Sequence, residues 1–464
     1  MIDKLEKSLD IGSKLGATYL ELRSEEYKIF SLRLEDMRIA SKSWKFKSGI
    51  AIRALVEGAW GFVSVTTKED LDKGVRDAAS LARTAAKKRK ERISLSSVKA
   101  YEDKIDLKIR ENPVDISVEK KVHRLQDLEK EVKSKEPRIN AVTTSYGDKL
   151  GRKYLVTSEG TRIELPIYSI YNLLFVSGKE QDRLTSMGDA IGSSSIGWEL
   201  FKEETNEKIV TRIVNKLRGQ LEGEKPKRGT FPCVLGPSVV GTVAHEALGH
   251  GCEADLTINS PFFNRLGMQI GPEEPTINLV DNGKLLNGVG SAKYDDEGVP
   301  TTKTYIIKDG LLNGFLTNRE YAEKMDLPLS GSARAEFFKQ QPLIRMRNTY
   351  FDGGDMDHDE LLEDIDFGYY CVTGPGGQAQ LNTAFQVGIQ EAFEINQGEI
   401  GDPVTTMAIS GIAIDALGKI TGVGKKSQIK FDFSSCGKGQ YVIVSAGGPY
   451  IRFSEGAIVF GGME

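Results

Sequence analysis

Residues 245–250, His-Glu-Ala-Leu-Gly-His, place two of the chain's four histidines five positions apart, with a glutamate directly after the first. Two imidazoles can bind a zinc ion, and a neighbouring carboxylate can take a proton from the water that the zinc activates. The spacing restricts the backbone, because residues five apart lie roughly 140° from each other around a straight α-helix. A shared metal ion therefore requires a distorted helical turn at this point of the chain.

Two local structures would bring the histidines together. A π-bulge widens one turn of a helix, and such bulges are frequent at functional sites. Alternatively, the helix ends at Gly249 in a left-handed cap, and His250 turns back from beyond it. Glycine is compatible with both structures because it lacks a Cβ atom. A histidine that only caps the carbonyls of a helix end is the alternative without a metal.

The composition describes an ordinary globular protein. Of the 464 residues, 39% are hydrophobic and 28% are charged, and the length is sufficient for two or three domains. The formal net charge of −4 does not favour nucleic acid or an anionic membrane as a partner. The basic run at residues 87–90 follows an amphipathic helix, so we interpret it as a solvated helix end.

The cysteines and the apolar runs bear on the cellular compartment. The four cysteines lie far apart and predict no disulfide framework, which favours a reducing compartment. The first residues lack the apolar core of a secretory signal, and no apolar run approaches the roughly 20 residues that span a bilayer. We therefore expect a cytoplasmic protein that does not contact membranes.

The hydrophobic periodicity predicts an α+β fold with two domains. Residues 1–223 are typical of a mixed α/β domain in which amphipathic helices pack on a sheet. Residues 229–464 are typical of a mostly β domain, in which glycine-containing turns separate short strands and one helix carries the metal-binding histidines. The polar segment between them contains proline and glycine and is the predicted boundary. Helices and strands do not alternate regularly, which favours α+β.

Individual elements can also be predicted. Residues 49–65 are expected to form a hairpin that turns at Glu57 and Gly58. Thr67 is expected to cap the helix that follows, and Pro237 to open the helix that bears the histidines. The buried stripe of the first of these helices is predicted to be Leu71, Val75, Ala78 and Ala82.

A catalytic zinc generally has three protein ligands and a water, so the two histidines need a third ligand. The candidates are the side chains of Cys252, Glu253, Asp255, Asp295, Asp296, His358 and Cys436. Cys252 follows His250 so closely that sharing the ion would need a tight chelate, and a buried cysteine is a common core residue. Glu253 and Asp255 are better placed to orient the histidine rings from behind. His358 lies among acids in what we interpret as a solvated loop.

Cys436 begins a glycine-rich turn between two predicted strands. A thiolate at such a turn is accessible enough to bind a metal, and Lys438 beside it would favour the charged form. On chemistry alone, the oxygen candidates compete with it, so the third ligand stays open at this point.

Short blocks of sequence in both halves accompany the histidine motif. They are residues 16–23, 49–62, 295–300, 331–336 and 342–350, then residues 374–378 with Phe385 and Glu391, and finally residues 436–440. In their order over most of the chain, these blocks resemble the TldD/PmbA family, once called modulators of DNA gyrase, and specifically its TldD side.

The resemblance implies a zinc metallopeptidase. It implies that His245, His250 and Cys436 are the zinc ligands and that Glu246 is the catalytic general base. It also implies assembly with a PmbA-type paralogue, which shares the fold but lacks the histidine motif; a homodimer is the alternative. The two subunits would then enclose an active site that admits only unfolded or small peptides.

Two other functions stay open. A dipeptidyl-peptidase III type hydrolase also uses a His-Glu-x-x-Gly-His helix, with a glutamate as third ligand, but that family is larger and rich in helices. Residues 272–464 of this chain are instead typical of turns and strands. A non-catalytic adaptor or gyrase modulator is the other alternative, and the intact His-Glu-His set argues against it.

Overall fold

The computed structural model describes residues 1–260, 265–380 and 382–461, and the two halves of the chain form separate sheets. The helices of the first half are α1 (Ile2–Lys14), α2 (Leu71–Ala86), a 3₁₀ turn (Pro113–Asp115), α3 (Val118–Lys135), α4 (Leu200–Glu203) and α5 (Asn206–Glu222). Its strands are β1 (Ala17–Glu35), β2 (Arg38–Val56), β3 (Ala59–Val65), β4 (Glu102–Lys104), β5 (Ile139–Thr157), β6 (Arg162–Glu180) and β7 (Arg183–Ser193).

Long antiparallel hairpins build the sheet of the first half. Its strand order is β3-β2-β1-β5-β6-β4, and β7 also pairs with β6. Helices α1 and α2 bury an apolar stripe against β1 and β2, and α3 and α5 do the same on β5, β6 and β7. The predicted stripe of α2 is buried, and the predicted hairpin turns at Glu57 and Gly58, which both have positive φ.

The second half is mostly β. Its α-helices are α6 (Pro237–Thr242), α7 (Ala254–Thr257), α8 (Arg319–Met325) and α9 (Ala413–Leu417), with a 3₁₀ turn at Lys426–Gln428. Its strands are β8 (Gly229–Thr230), β9 (Cys233–Leu235), β10 (Leu279–Asn282), β11 (Lys303–Lys308), β12 (Leu311–Leu312), β13 (Ala333–Arg334), β14 (Leu343–Ile344), β15 (Asn348–Phe351), β16 (Phe367–Thr373), β17 (Gly376–Ala379), β18 (Ala384–Ile389), β19 (Glu391–Asn396), β20 (Glu399–Val404), β21 (Met407–Ile412), β22 (Ile420–Val423), β23 (Lys430–Gly437), β24 (Tyr441–Gly448), β25 (Ile451–Phe453) and β26 (Val459–Gly461).

These strands form three large sheets and one small one. The orders are β12-β11-β10-β15-β24-β23, β20-β19-β16-β9-β25-β22 and β17-β18-β21-β26-β8, with β13 and β14 forming a separate pair. Helix α6 contacts strands of all three large sheets, and its Val239 and Val240 side chains lie in the main apolar core. The segment that bears the histidines is therefore held from several directions by packed strands.

The sequence predictions for the fold are confirmed in class but not in every detail. The α+β class is confirmed. The predicted cap of α2 is wrong, because the helix is preceded by Asp70, whose carboxylate accepts a hydrogen bond from the Thr67 hydroxyl instead. The boundary between residues 1–223 and 229–464 stays a prediction; it falls between the end of α5 and the start of β8. None of the described helices is both long enough and apolar enough to span a bilayer.

Close backbone packing of α6 on β24 predicts an effect of one substitution. A Cβ atom on Gly241 would lie 2.5 Å from the backbone nitrogen of Gly447 and 2.7 Å from the carbonyl carbon of Ala446. Because backbone atoms cannot move aside like a side chain, Gly241→Ala should lower the free energy of unfolding by about 1–3 kcal/mol. Chemical denaturation measures this change.

Gly219→Ala is the matched control within α5. There the nearest atom to an added Cβ is the Pro403 Cβ at 3.6 Å, an ordinary contact. Replacing glycine inside a helix should then stabilise the protein by about 0.5–1 kcal/mol. Equal stability of the two variants would contradict the proposed tight packing of α6.

Candidate metal centre

Helix α6 continues directly into a π-helix over Val243–Gly249 and then a 3₁₀ turn over His250–Cys252. The amide of His250 donates a hydrogen bond to the carbonyl of His245, which is the i+5 bond of a π-helix. The two imidazole rings therefore meet edge to face, with centroids 5.1 Å apart. The predicted π-bulge is confirmed, and the alternative of a left-handed cap is wrong, since Gly249 has a φ of −59°.

Cys436 reaches the histidines from a strand far along the chain. It lies near the end of β23, and its Sγ is 3.2 Å from Nε2 of His250. The ligand atoms of His245, His250 and Cys436 all lie within 4.8 Å of one another. Since Zn–N and Zn–S bonds are about 2.0–2.3 Å long, small side-chain rotations are enough for the three to share one ion.

The surroundings of His245 test whether a metal fits here. The residue is only 4% exposed, yet neither ring nitrogen has a hydrogen-bond partner among the described residues. A buried polar group left without a partner costs roughly 1–3 kcal/mol, which a bond to a metal would offset. Two imidazoles and a thiolate suit zinc, and three protein ligands leave one position open for a substrate or water. The residues present therefore fit a zinc ion.

The two imidazoles lie in different electrostatic environments. Burial lowers the pKa of His245 well below its usual value, and the positive charges of His250, Arg345 and Arg334 lower it further. Burial also acts to lower the pKa of His250, but its hydrogen bonds to Cys436 and Glu253 outweigh that effect and raise the pKa to about 10. The groups around His250 thus favour a cation at this position.

Glu253 orients His250 from behind, as predicted. Its Oε2 lies 3.0 Å from Nδ1 of His250, which leaves Nε2 directed at Cys436. The Nζ of Lys438 lies 3.0 Å from the same carboxylate oxygen and 2.7 Å from Oδ1 of Asp255. The ammonium therefore bridges these two carboxylates. That Lys438 also favours the thiolate of Cys436 stays a prediction. Among the described residues, Asp255 contacts the lysine and not a histidine ring, unlike the prediction.

Glu246 lies next to the first histidine and is half-buried. Its carboxylate has no hydrogen-bond partner within the described ranges. Burial raises the pKa of Glu246, and the positive charge of His250 partly offsets the rise. A carboxylate that accepts a proton nearer to neutral pH and is not engaged elsewhere is suited to general acid–base chemistry.

The remaining third-ligand candidates have other contacts. Cys252 is buried in the main apolar core, where desolvation raises the pKa of its thiol. Asp295 accepts hydrogen bonds from three backbone amides, and Asp296 forms an ion pair with Lys153 at 2.5 Å. His358 lies 3.2 Å from the Tyr370 hydroxyl. Only Cys436 joins the two histidines among the described candidates.

Sequence reasoning missed Arg345, which supports the cysteine. It is completely buried, and its Nη2 donates to the carbonyl of Cys436 at 2.7 Å while Nη1 donates to that of Gln440 at 2.9 Å. Both ends of the turn that follows β23 are therefore held by one guanidinium. The signal in the sequence was a charged residue between Ile344 and Met346, in an otherwise apolar run.

Two strand edges lie beside the histidine-bearing helix. Strand β23 ends one sheet and β17 ends another, so each has an unpaired edge within the described part of the chain. Helix α6 contacts both strands, and β17 also contacts the π-helix. An extended chain can bind to such an edge through main-chain hydrogen bonds.

Comparisons with known proteins agree with this arrangement. Three models of one family match in succession: PmbA/TldA metallopeptidase domain 1 over residues 20–82, the central domain over residues 111–221 and the C-terminal domain over residues 228–459. A metalloprotease of Methanocaldococcus jannaschii is 32% identical over 457 residues, which are 97% of this chain and 98% of that protein. The chain belongs to the PmbA/TldD metallopeptidase family. The resemblance to the TldD/PmbA family seen in the sequence is therefore confirmed.

Other PmbA/TldD proteins are similar over their whole length. A zinc metalloprotease TldD homologue of Saccharolobus solfataricus is 30% identical over 454 residues, covering 97% of this chain and 98% of that one. The solved structure of TldE from Thermococcus kodakarensis has a TM-score of 0.78 at 18% identity, covering 99% of this chain and all of that one. A candidate modulator of a DNA gyrase from Thermotoga maritima has a TM-score of 0.79 at 20% identity, with 99% of each chain covered. At these identities the two solved structures show a shared fold.

Proposed function

We propose that this chain is a zinc-dependent peptidase whose metal is held by His245, His250 and Cys436 and whose general base is Glu246. The observation that carries the proposal is the approach of Cys436 to two histidines, one of which is buried with both nitrogens unpartnered. The proposal is also supported by the relatives, which are named metalloproteases. The Saccharolobus solfataricus relative is named a zinc metalloprotease.

The chemistry divides between the metal and the chain. When bound, zinc supplies a Lewis acid that lowers the pKa of a water molecule and polarises a peptide carbonyl. Glu246 accepts the proton of the attacking water and delivers it to the leaving amine. Burial raises the pKa of Glu246, which makes its carboxylate a better proton acceptor. The contact between Glu253 and Nδ1 of His250 favours the tautomer whose Nε2 carries no proton and can bind a metal.

The substrate is proposed to be an extended peptide. The unpaired edge of β23 runs towards Cys436, and the edge of β17 lies beside the π-helix. Main-chain hydrogen bonds to such an edge accept most side chains, so we expect broad sequence preference. A folded protein cannot offer a free strand easily, which favours unfolded or small peptides as substrates.

The active form is proposed to be a dimer that encloses the site, with a PmbA-type paralogue or a second copy of the chain. Within the described residues, no strand pairs with the outer edge of the first part of β2, since β3 pairs only from Ile50 onwards. On this part Trp44 and Phe46 are each 61% exposed, and large exposed aromatic side chains are typical of protein interfaces. The solved structure of TldE, a protein of the same fold, is consistent with a partner of this kind.

The free cysteines support a cytoplasmic location.

Among the described residues, the contacts of Glu253 argue against the dipeptidyl-peptidase III type alternative. That mechanism needs a glutamate as third ligand, whereas the Glu253 carboxylate contacts Nδ1 of His250, and the Cys436 sulfur contacts Nε2. One imidazole thus separates the carboxylate from the candidate metal position.

Metal analysis combined with a peptide-library digest tests the proposal. We expect about one zinc per chain, cleavage of unstructured peptides, and loss of cleavage on chelation that added zinc restores. Both measurements should be made with the chain alone and with a co-expressed PmbA-type paralogue. A chain that binds no metal in either form would favour the non-catalytic adaptor or gyrase modulator instead.

A further inference from the structure

We propose that Lys438 is a positioning residue that fixes the Cys436 turn against the histidine-bearing helix and so orients the proposed metal ligands. The inference rests on the proposed function, because it assigns a role within the proposed zinc site. Lys438 itself is not a ligand and is placed to act through Glu253 and His250.

The lysine connects two segments that are far apart in the sequence. Its Nζ lies 3.0 Å from Oε2 of Glu253, 2.7 Å from Oδ1 of Asp255 and 3.1 Å from the carbonyl oxygen of Ile344. An ammonium has three hydrogens to donate, and each has an acceptor here. The side chain is only 16% exposed, so water screens these interactions less than at an open surface.

Through Glu253, the contacts of Lys438 extend to His250, a proposed zinc ligand. Oε2 of Glu253 is shared between Nζ of Lys438 and Nδ1 of His250, at 3.0 Å from each. The Glu253 side chain is fully buried, and its other oxygen, Oε1, has no hydrogen-bond partner in the described residues. The carboxylate therefore depends on the lysine and the imidazole for compensation of its buried charge.

The turn that carries the lysine also carries the cysteine. Arg345 holds the main chain of this turn at the carbonyls of Cys436 and Gln440, and the amide of Lys438 donates to the Gln440 carbonyl at 3.1 Å. The arginine thus fixes the shape of the turn, and the lysine side chain fixes its position relative to His250. Together they hold Sγ of Cys436 3.2 Å from Nε2 of His250.

Removing the ammonium should have a specific effect on the metal site. Without it, two neighbouring carboxylates lose their common cation, and Glu253 is left buried with reduced compensation. The carboxylate would then move away from the imidazole, which weakens its hold on the His250 ring. Loss of a group that orients a metal ligand typically costs 10–100-fold in affinity, so we expect zinc affinity to fall by roughly that factor in Lys438→Met.

The experiment compares Lys438→Met and Lys438→Gln with Lys425→Met. Lys425 is the matched control because it also pairs with a carboxylate, that of Asp357 at 2.6 Å, but on the surface. Zinc affinity is measured by chelator competition, and the cysteine bond by the thiolate-to-metal charge-transfer band of the cobalt-substituted protein. We expect weaker binding and a reduced band in both Lys438 variants and no change in the control.

A double-variant cycle with Glu253→Gln gives a second test. If the lysine acts through Glu253, the double variant should bind zinc about as weakly as whichever single variant binds it less tightly. Both substitutions interrupt the same series of contacts, from Lys438 through Glu253 to His250. Additive losses would overturn the inference, as would unchanged affinity and an unchanged band in the Lys438 variants. Either result leaves the proposed function intact if the unaltered chain binds zinc. If the unaltered chain binds no zinc, the proposed function fails and this inference fails with it.

Discussion

Glu246→Gln should keep its zinc and hydrolyse peptides about 10²–10⁴-fold more slowly than the unaltered chain. Glutamine has nearly the same shape as glutamate, so the π-helix and the two histidines should stay in place. It cannot accept the proton of the attacking water, and this step is the one we assign to the carboxylate. Steady-state kinetics on an unstructured peptide measure the loss, and metal analysis shows that the ion is retained.

A glutamate outside the site provides the control for this variant. Glu360→Gln changes a carboxylate in the solvated segment near His358 and should leave turnover unchanged. Full peptidase activity in Glu246→Gln would refute the assigned base. Loss of zinc together with activity would instead indicate that the carboxylate supports the metal site.

Cys436→Ala should lose zinc more severely than any variant of an orienting residue. It removes one of three proposed ligands, so the affinity should fall by more than the roughly 10–100-fold typical of losing an outer partner. Peptide hydrolysis at limiting zinc should fall with it. Chelator competition measures the affinity, and the cobalt-substituted protein should show no thiolate charge-transfer band.

Cys371→Ala is the matched control, because Cys371 is also buried and free but lies in β16. Its zinc affinity and cobalt spectrum should match those of the unaltered chain. An unchanged zinc affinity in Cys436→Ala would favour a glutamate as third ligand, as in the dipeptidyl-peptidase III type alternative. It would also mean that Cys436, although its Sγ lies close to Nε2 of His250, does not bind the metal.

Much of the fold followed from local patterns. The stripe of α2 and the hairpin at Glu57 and Gly58 could be predicted because helical periodicity and turn chemistry are properties of neighbouring residues. The N-cap of α2 could not be predicted in this way. Thr67 and Asp70 are both residue types that cap helices, and the choice between them depends on where packing begins the helix. The pairing of strands into four sheets of the second half depends on contacts between distant segments, which no local pattern contains.

The site was predictable in its residue types and less so in its geometry. The five-residue spacing of His245 and His250 required a distorted turn, but only packing against the strands selected the π-helix over a left-handed cap. Chemistry left several third-ligand candidates, and the hairpin of β23 and β24 selected Cys436 by bringing it to the histidines. The contacts of Lys438 with Glu253 and Asp255 could not be predicted, because these partners come from another segment of the chain.

The distance along the chain between the histidines and the cysteine has a consequence for biosynthesis. Residue 436 follows residue 250 by 186 positions, so the three proposed ligands are not all present until nearly all of the β-rich half has been translated. A nascent chain that has exposed only the His-Glu-His segment lacks the thiolate and the strand that presents it. With the proposed ligands, a chain cannot cleave its own unfinished length, because the zinc site is complete only after the hairpin of β23 and β24 has formed.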